Sequence, residues 1–117
     1  MREIAVGAAH VPYRVLGAGR PLVLVHGAGA GARAWDGVAD AFAKSNTVVV
    51  PNLSGSDAAR DDGRELTVDI LTEQLAAVVT DLDAAPVDLV GHSLGGVVVS
   101  ALAASRAHLG PADDPRA

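Results

Sequence analysis

Three short apolar runs, "PLVLV" (21–25), "TVVVP" (47–51) and "VDLV" (87–90), are separated by stretches of a different period. An unbroken apolar run suits a strand covered on both faces, because a strand with one wet face alternates apolar and polar residues. Between the first two runs, Trp35, Val38, Ala39 and Phe42 recur at helical spacing and predict a helix over 34–43. Between the second and third, Val68, Leu71, Leu75, Val78 and Leu82 form one helical stripe. Thr67 is placed to cap it, Leu66 and Leu71 occupy the two positions of a hydrophobic staple, and Asp69 lies in the first turn where the helix dipole favours a negative charge. Pro86 closes that helix, and a third helix is expected from Leu94 to about Ala107, where "HLGPADDPRA" turns polar and proline-rich. Strand and helix alternating three times over is the pattern of an α/β fold, a mostly parallel sheet with helices on both faces. Residues 3–6 and 11–16, with "GAAH" between them and "GAGR" after them, read as a leading hairpin, and the polar stretch 52–65 reads as an exposed loop.

The length of 117 residues and net charge of −5 fit one domain, residues 1–117, of the soluble globular class. Its apolar half is chiefly Ala and Val, with one Trp, one Tyr and one Phe, so the core is built from small side chains. Cysteine is absent, which excludes disulfides, a thiolate nucleophile and cysteine-ligated metal sites. A single lysine, Lys44, in an acidic chain gives no basic patch for phosphates, which argues against a nucleic-acid partner. No apolar stretch is long enough to span a membrane, and Glu3, His10 and Arg14 interrupt any N-terminal signal, so the cytoplasm is the expected compartment.

The third apolar run leads into "GHSLGG", in which Gly91, Ser93 and Gly95 satisfy G-x-S-x-G. A strand that passes straight into a helix through a tight turn pushes the middle side chain outward, and flanking glycines prevent the steric clash. Ser93 then stands where unpaired helix N–H groups can stabilise an oxyanion. A plainer reading of the same residues has the glycines packing strand against helix and Ser93 acting as a cap. The first run carries a second signal, since it ends in His26-Gly27 and a small-residue loop able to aim a backbone N–H at the same oxygen.

The chain resembles the N-terminal half of an α/β-hydrolase-fold protein. The matching segments are "LVLVHGAGAGARAW", "TVVVPNLSG", "LTVDILTEQLAAVV" and "GHSLGG" with the helix after it, together spanning about residues 13–104. The resemblance implies an incomplete α/β-hydrolase fold and acyl transfer from an ester or related carbonyl of a small molecule to water. It implies Ser93 as nucleophile and the backbone N–H groups of Ala28 and Leu94 as the oxyanion hole. His26, Gly27, Gly91, His92 and Gly95 are implied as structural residues of the site, with no cofactor and no metal. The sequence departs from the family's D-x-x-G-x-G loop, having Asn52 for its aspartate and Asp57 where its second glycine is expected, while Gly55 is kept.

The family order is serine, acid, histidine, and after Ser93 the chain offers only His108, Asp113 and Asp114, in the wrong order. His108 lies fifteen residues on, roughly 22 Å along a continuous helix, beyond hydrogen-bond reach of Ser93. The chain therefore reads as a truncated or frame-shifted form, inactive alone, with 105–117 foreign to the fold. The strand at 87–90, central in the family's sheet, becomes an exposed apolar edge prone to aggregation. Two other classes fit parts of the sequence. Gly27, Gly29 and Ala32 satisfy the dinucleotide-binding G-x-G-x-x-A, although Asn52 stands where the ribose-binding acid belongs. A non-catalytic ligand-binding module of the same fold is the other.

Overall fold

The computed structural model describes residues 2–27, 30–55, 66–83 and 86–105. Among these residues, five strands form one sheet in the order β1-β2-β4-β3-β5. They are β1 (Arg2–Val6), β2 (Ala9–Leu16), β3 (Arg20–Val25), β4 (Asn46–Pro51) and β5 (Asp88–Gly91). β3 lies parallel to both β4 and β5, and the leading hairpin adds the antiparallel pairings β1 with β2 and β2 with β4. The sheet is thus mixed, its parallel half carrying the loops at the ends of β3 and β5.

The apolar runs of β3 and β4 do have two covered faces, whereas β5, formed from the third run, has no fully buried residue. In β3 and β4, Val23, Val25 and Val49 pack with Leu71, Leu75, Val78, Val98 and Leu102 of the helices α1 (Val68–Leu82) and α2 (Leu94–Ser105). Their neighbours Leu22, Leu24, Val48 and Val50 point the other way, onto Ala32 and Ala39. That second face has a thin cover. The predicted helix over 34–43 is broken in two: a 3₁₀ turn, Ala32–Trp35, and a five-residue helix, Val38–Phe42. Asp36 turns extended and Gly37 adopts φ +84, a conformation that glycine enters freely and that no α-helix contains. Helical spacing of apolar residues survives the break, which is why the spacing alone suggests one element.

The start of α1 is as expected, for Thr67 is extended and its Oγ1 accepts the Ile70 N–H at 3.2 Å. Its end comes before Pro86, at Asp83, which takes the left-handed conformation that closes helices. Helix α2 begins at Leu94 as the motif requires and is described to Ser105; residues 106–117, with His108, Asp113 and Asp114, lie outside the described residues. β5 pairs only with β3 among the described strands, so it is an edge, and Val90 on it is 41 % exposed.

A part-buried polar contact ties the hairpin to α1: the Tyr13 hydroxyl donates to Oδ2 of the exposed Asp81. Burial pushes the Tyr13 phenol above its ordinary value of 10.0, and the bond to Asp81 adds to this, while Arg2 opposes it. A raised phenol keeps its proton in the fold after the unfolded chain has lost it, so this stabilisation is complete below pH 10.0 and declines as pH rises beyond it. Tyr13→Phe should cost about 1 kcal/mol at neutral pH and remove part of the alkaline decline. Urea unfolding at neutral and alkaline pH checks both, and as Tyr13 is the sole tyrosine, its phenolate absorbance reports the titration directly.

Candidate active site

Ser93 occupies the single turn between β5 and α2, exposed, with φ +58. Only Ser93 and Asp83 among the described non-glycine residues have positive φ, and for Ser93 no helix C-terminus explains it. The strain has a visible cause. The His92 N–H reaches back to the Val25 carbonyl at 3.1 Å, and the Gly95 N–H closes the turn on the His92 carbonyl at 2.9 Å. Strand, turn and helix are thereby folded onto one another so closely that side chains are excluded. A Cβ on Gly91 would lie 2.3 Å from the Gly95 carbonyl oxygen, and one on Gly95 would lie 2.3 Å from that of Val25. The two glycines of the motif are steric necessities of the turn.

The turn employs the N–H groups of His92, Gly95, Gly96 and Val97. The Leu94 N–H is the first of α2 and donates to none of the described carbonyls, as befits the opening of a helix. Gly27, at the end of β3, packs against this turn: a Cβ there would be 3.2 Å from the His92 carbonyl oxygen and 3.3 Å from Ser93 Cβ. The loop after β3 and the serine are therefore brought together. Ala28, the other expected oxyanion donor, lies outside the described residues.

His26 is buried, and both its ring nitrogens are engaged. Nε2 accepts the Leu53 N–H at 3.0 Å, which leaves Nδ1 to carry the proton and donate to the Gly27 carbonyl at 2.8 Å. A ring so committed has no lone pair to take a proton from Ser93. His92 is exposed and, with His26, Gly27, Trp35 and Val38, lines a cavity of about 240 Å³ beside the turn. His10 is remote, its Nδ1 lying 2.9 Å from Glu3 on the hairpin. No group of His, Asp and Glu able to hold a metal occurs among the described residues.

Residues 52–54, expected in an exposed loop, are buried, and two roles at the site are not foreseen from the sequence. Asn52, at the end of β4, is buried and its Oδ1 accepts the Ala32 N–H at 2.8 Å. That N–H opens the turn where a pyrophosphate would sit in a dinucleotide site, and a four-residue 3₁₀ turn follows it in place of a long helix, so the geometry does not fit that reading. Gln74 is also buried, on the apolar side of α1; its Oε1 accepts the Ser54 N–H at 2.9 Å and its Nε2 donates to Ser54 Oγ at 2.7 Å. A glutamine on the buried side of an otherwise apolar stripe is the signal that could have found it.

Comparison with known proteins agrees with this architecture. A deacetylase of pyrrolizixenacetamide from Xenorhabdus hominickii is 41% identical over 110 residues, covering 93% of this chain and 41% of its own length. The 2-hydroxymuconate semialdehyde hydrolase of a Pseudomonas strain is 33% identical over 106 residues, covering 87% of this chain and 38% of its own. Among solved structures, a hydrolase from Pseudomonas aeruginosa superposes with a TM-score of 0.86 at 24% identity, over 92% of this chain and 42% of that one, a likeness of fold. The chain thus spans about two fifths of the length of these curated relatives. The model of the alpha/beta hydrolase family matches residues 22–117, which contain the strained serine turn and the loop packed against it, and the chain belongs to that family.

Proposed function

We propose that the chain carries the nucleophile and oxyanion machinery of a serine hydrolase acting on a small ester, thioester or amide. The observation that carries this reading is Ser93 held at φ +58 between two glycines that cannot bear side chains. Such strain persists only where the surrounding structure enforces it, and it turns the hydroxyl outward at a helix start. Ser93 Oγ attacks the carbonyl carbon, and the Leu94 and Ala28 N–H groups hold the oxygen as it becomes negative. The C–O or C–N bond to the leaving group then breaks, the leaving group departs with a proton, and water hydrolyses the acyl-serine. The name of the deacetylase relative favours a short acyl group on nitrogen or oxygen.

The proton of Ser93 needs a base; neither His26 nor His10 can serve, and the exposed His92 has no carboxylate among the described residues to orient it. On this reading the 117 residues alone turn over negligibly, and the test supplies the rest. In a chimera, residues 1–104 replace the matching segment of the Xenorhabdus deacetylase. The folded chimera should hydrolyse p-nitrophenyl acetate, with the acyl-serine on Ser93 seen by mass spectrometry after acid quench. A folded chimera that binds the ester without forming that adduct would instead make this a ligand-binding module.

A further inference from the structure

The segment leaving β4 is fixed by three backbone donors to three different elements. The Asn52 N–H bonds to the Pro12 carbonyl of β2 at 2.8 Å, the Leu53 N–H to His26 Nε2 at the end of β3, and the Ser54 N–H to Gln74 Oε1 of α1. Gln74 returns a second bond to Ser54 Oγ, so the last anchor is two-pronged. From this hydrogen-bonded stretch the Asn52 side chain extends to the Ala32 N–H, at the far end of the loop whose near end, Gly27, lies against Ser93. His26 reaches the near end from the other side by donating to the Gly27 carbonyl.

We infer that Asn52 is a positioning residue: anchored through β2, His26 and α1, it holds the loop after β3 at Ala32 while His26 holds it at Gly27. The loop is pinned at both ends from one rigid segment, and Gly27 is thereby kept against the serine turn. An oxyanion donor is effective only if it is already in place when charge develops, so a loop carrying one must be braced. This consequence for catalysis rests on the nucleophile reading above; the brace itself does not. An asparagine accepts the Ala32 N–H without adding negative charge beside the position the oxyanion would occupy.

The test uses the complete ¹⁵N-labelled chain. Asn52→Leu removes the acceptor with little change of volume, and the Ala32 amide should then exchange with solvent at least about tenfold faster, the effect of one buried hydrogen bond. Leu53 and Ser54 should keep their protection, because their acceptors are untouched. Asn52→Asp, which restores an acceptor, should restore slow exchange at Ala32. Unchanged exchange at Ala32 in Asn52→Leu, or no rescue by Asn52→Asp, would overturn the inference. Should Asn52→Leu not fold, the unsubstituted chain labelled with ¹³C as well as ¹⁵N decides: a coupling across the hydrogen bond from the Ala32 nitrogen to Asn52 Cγ is expected, and its absence would equally overturn it. These readouts involve no chemistry at Ser93, so failure of the nucleophile reading in the chimera is a separate result.

Discussion

Gly95→Ala is expected to destabilise the fold severely, and the neighbouring Gly96→Ala to leave it as stable or more so. A methyl on Gly95 would meet the Val25 oxygen at 2.3 Å, the His26 oxygen at 2.7 Å and the Val25 carbon at 2.9 Å. All three are backbone atoms of β3 and its end, so no rotamer change relieves the overlap; strand and helix must separate. Overpacking typically costs about 1–3 kcal/mol and more where only backbone can move, a large share of the roughly 5–15 kcal/mol of an ordinary domain. Gly91→Ala belongs with it, since its methyl would lie 2.3–2.5 Å from atoms of Gly95 and Gly96. At Gly96 the nearest atom is 3.6 Å away and the residue is inside α2, so alanine should add about 0.5–1 kcal/mol through helix propensity. Circular dichroism and urea midpoints of the three variants separate these outcomes. Equal stability for Gly95→Ala and Gly96→Ala would mean that the turn is not as tight as described.

The reason this contrast is invisible in "GHSLGG" shows what the sequence does and does not disclose. Local physics is legible: the apolar runs become strands, Thr67 caps α1, and the glycine-serine-glycine spacing falls between β5 and α2. These depend on neighbours within a few residues. That Gly95 is obligatory depends on atoms of Val25 and His26, about 70 positions earlier in the chain, and only the fold brings them together. The same applies to Asn52 and Gln74, whose partners Ala32 and Ser54 are each 20 residues away. Read in sequence, Asn52 is a departure from the family's aspartate; in the structure, it performs the acceptor function that an aspartate could also perform. The break at Gly37 falls between these cases, since glycine permits a positive φ without announcing that the chain will use it.

Ser93→Gly should make the protein more stable than Ser93→Ala while both lose activity, a divergence that follows from placing function on a strained residue. A non-glycine residue at φ +58 carries about 1–2 kcal/mol of backbone strain, and alanine retains all of it. Glycine releases it, at a cost of about 0.5–1 kcal/mol from the greater freedom of the unfolded chain. The glycine variant should therefore exceed the alanine variant by roughly 0.5–1 kcal/mol in urea unfolding. In the chimera, both should lower kcat for p-nitrophenyl acetate by about ten-thousandfold or more, because no other group can form the acyl intermediate. Asp83 provides the control, being equally left-handed at φ 51 but at the end of α1. Asp83→Gly should gain a similar part of that strain energy and leave kcat unchanged. If Ser93→Gly brings no gain over Ser93→Ala while Asp83→Gly does, then Ser93 is not strained in solution. If instead the gain appears and activity persists, the turn is strained for packing alone and the nucleophile lies elsewhere.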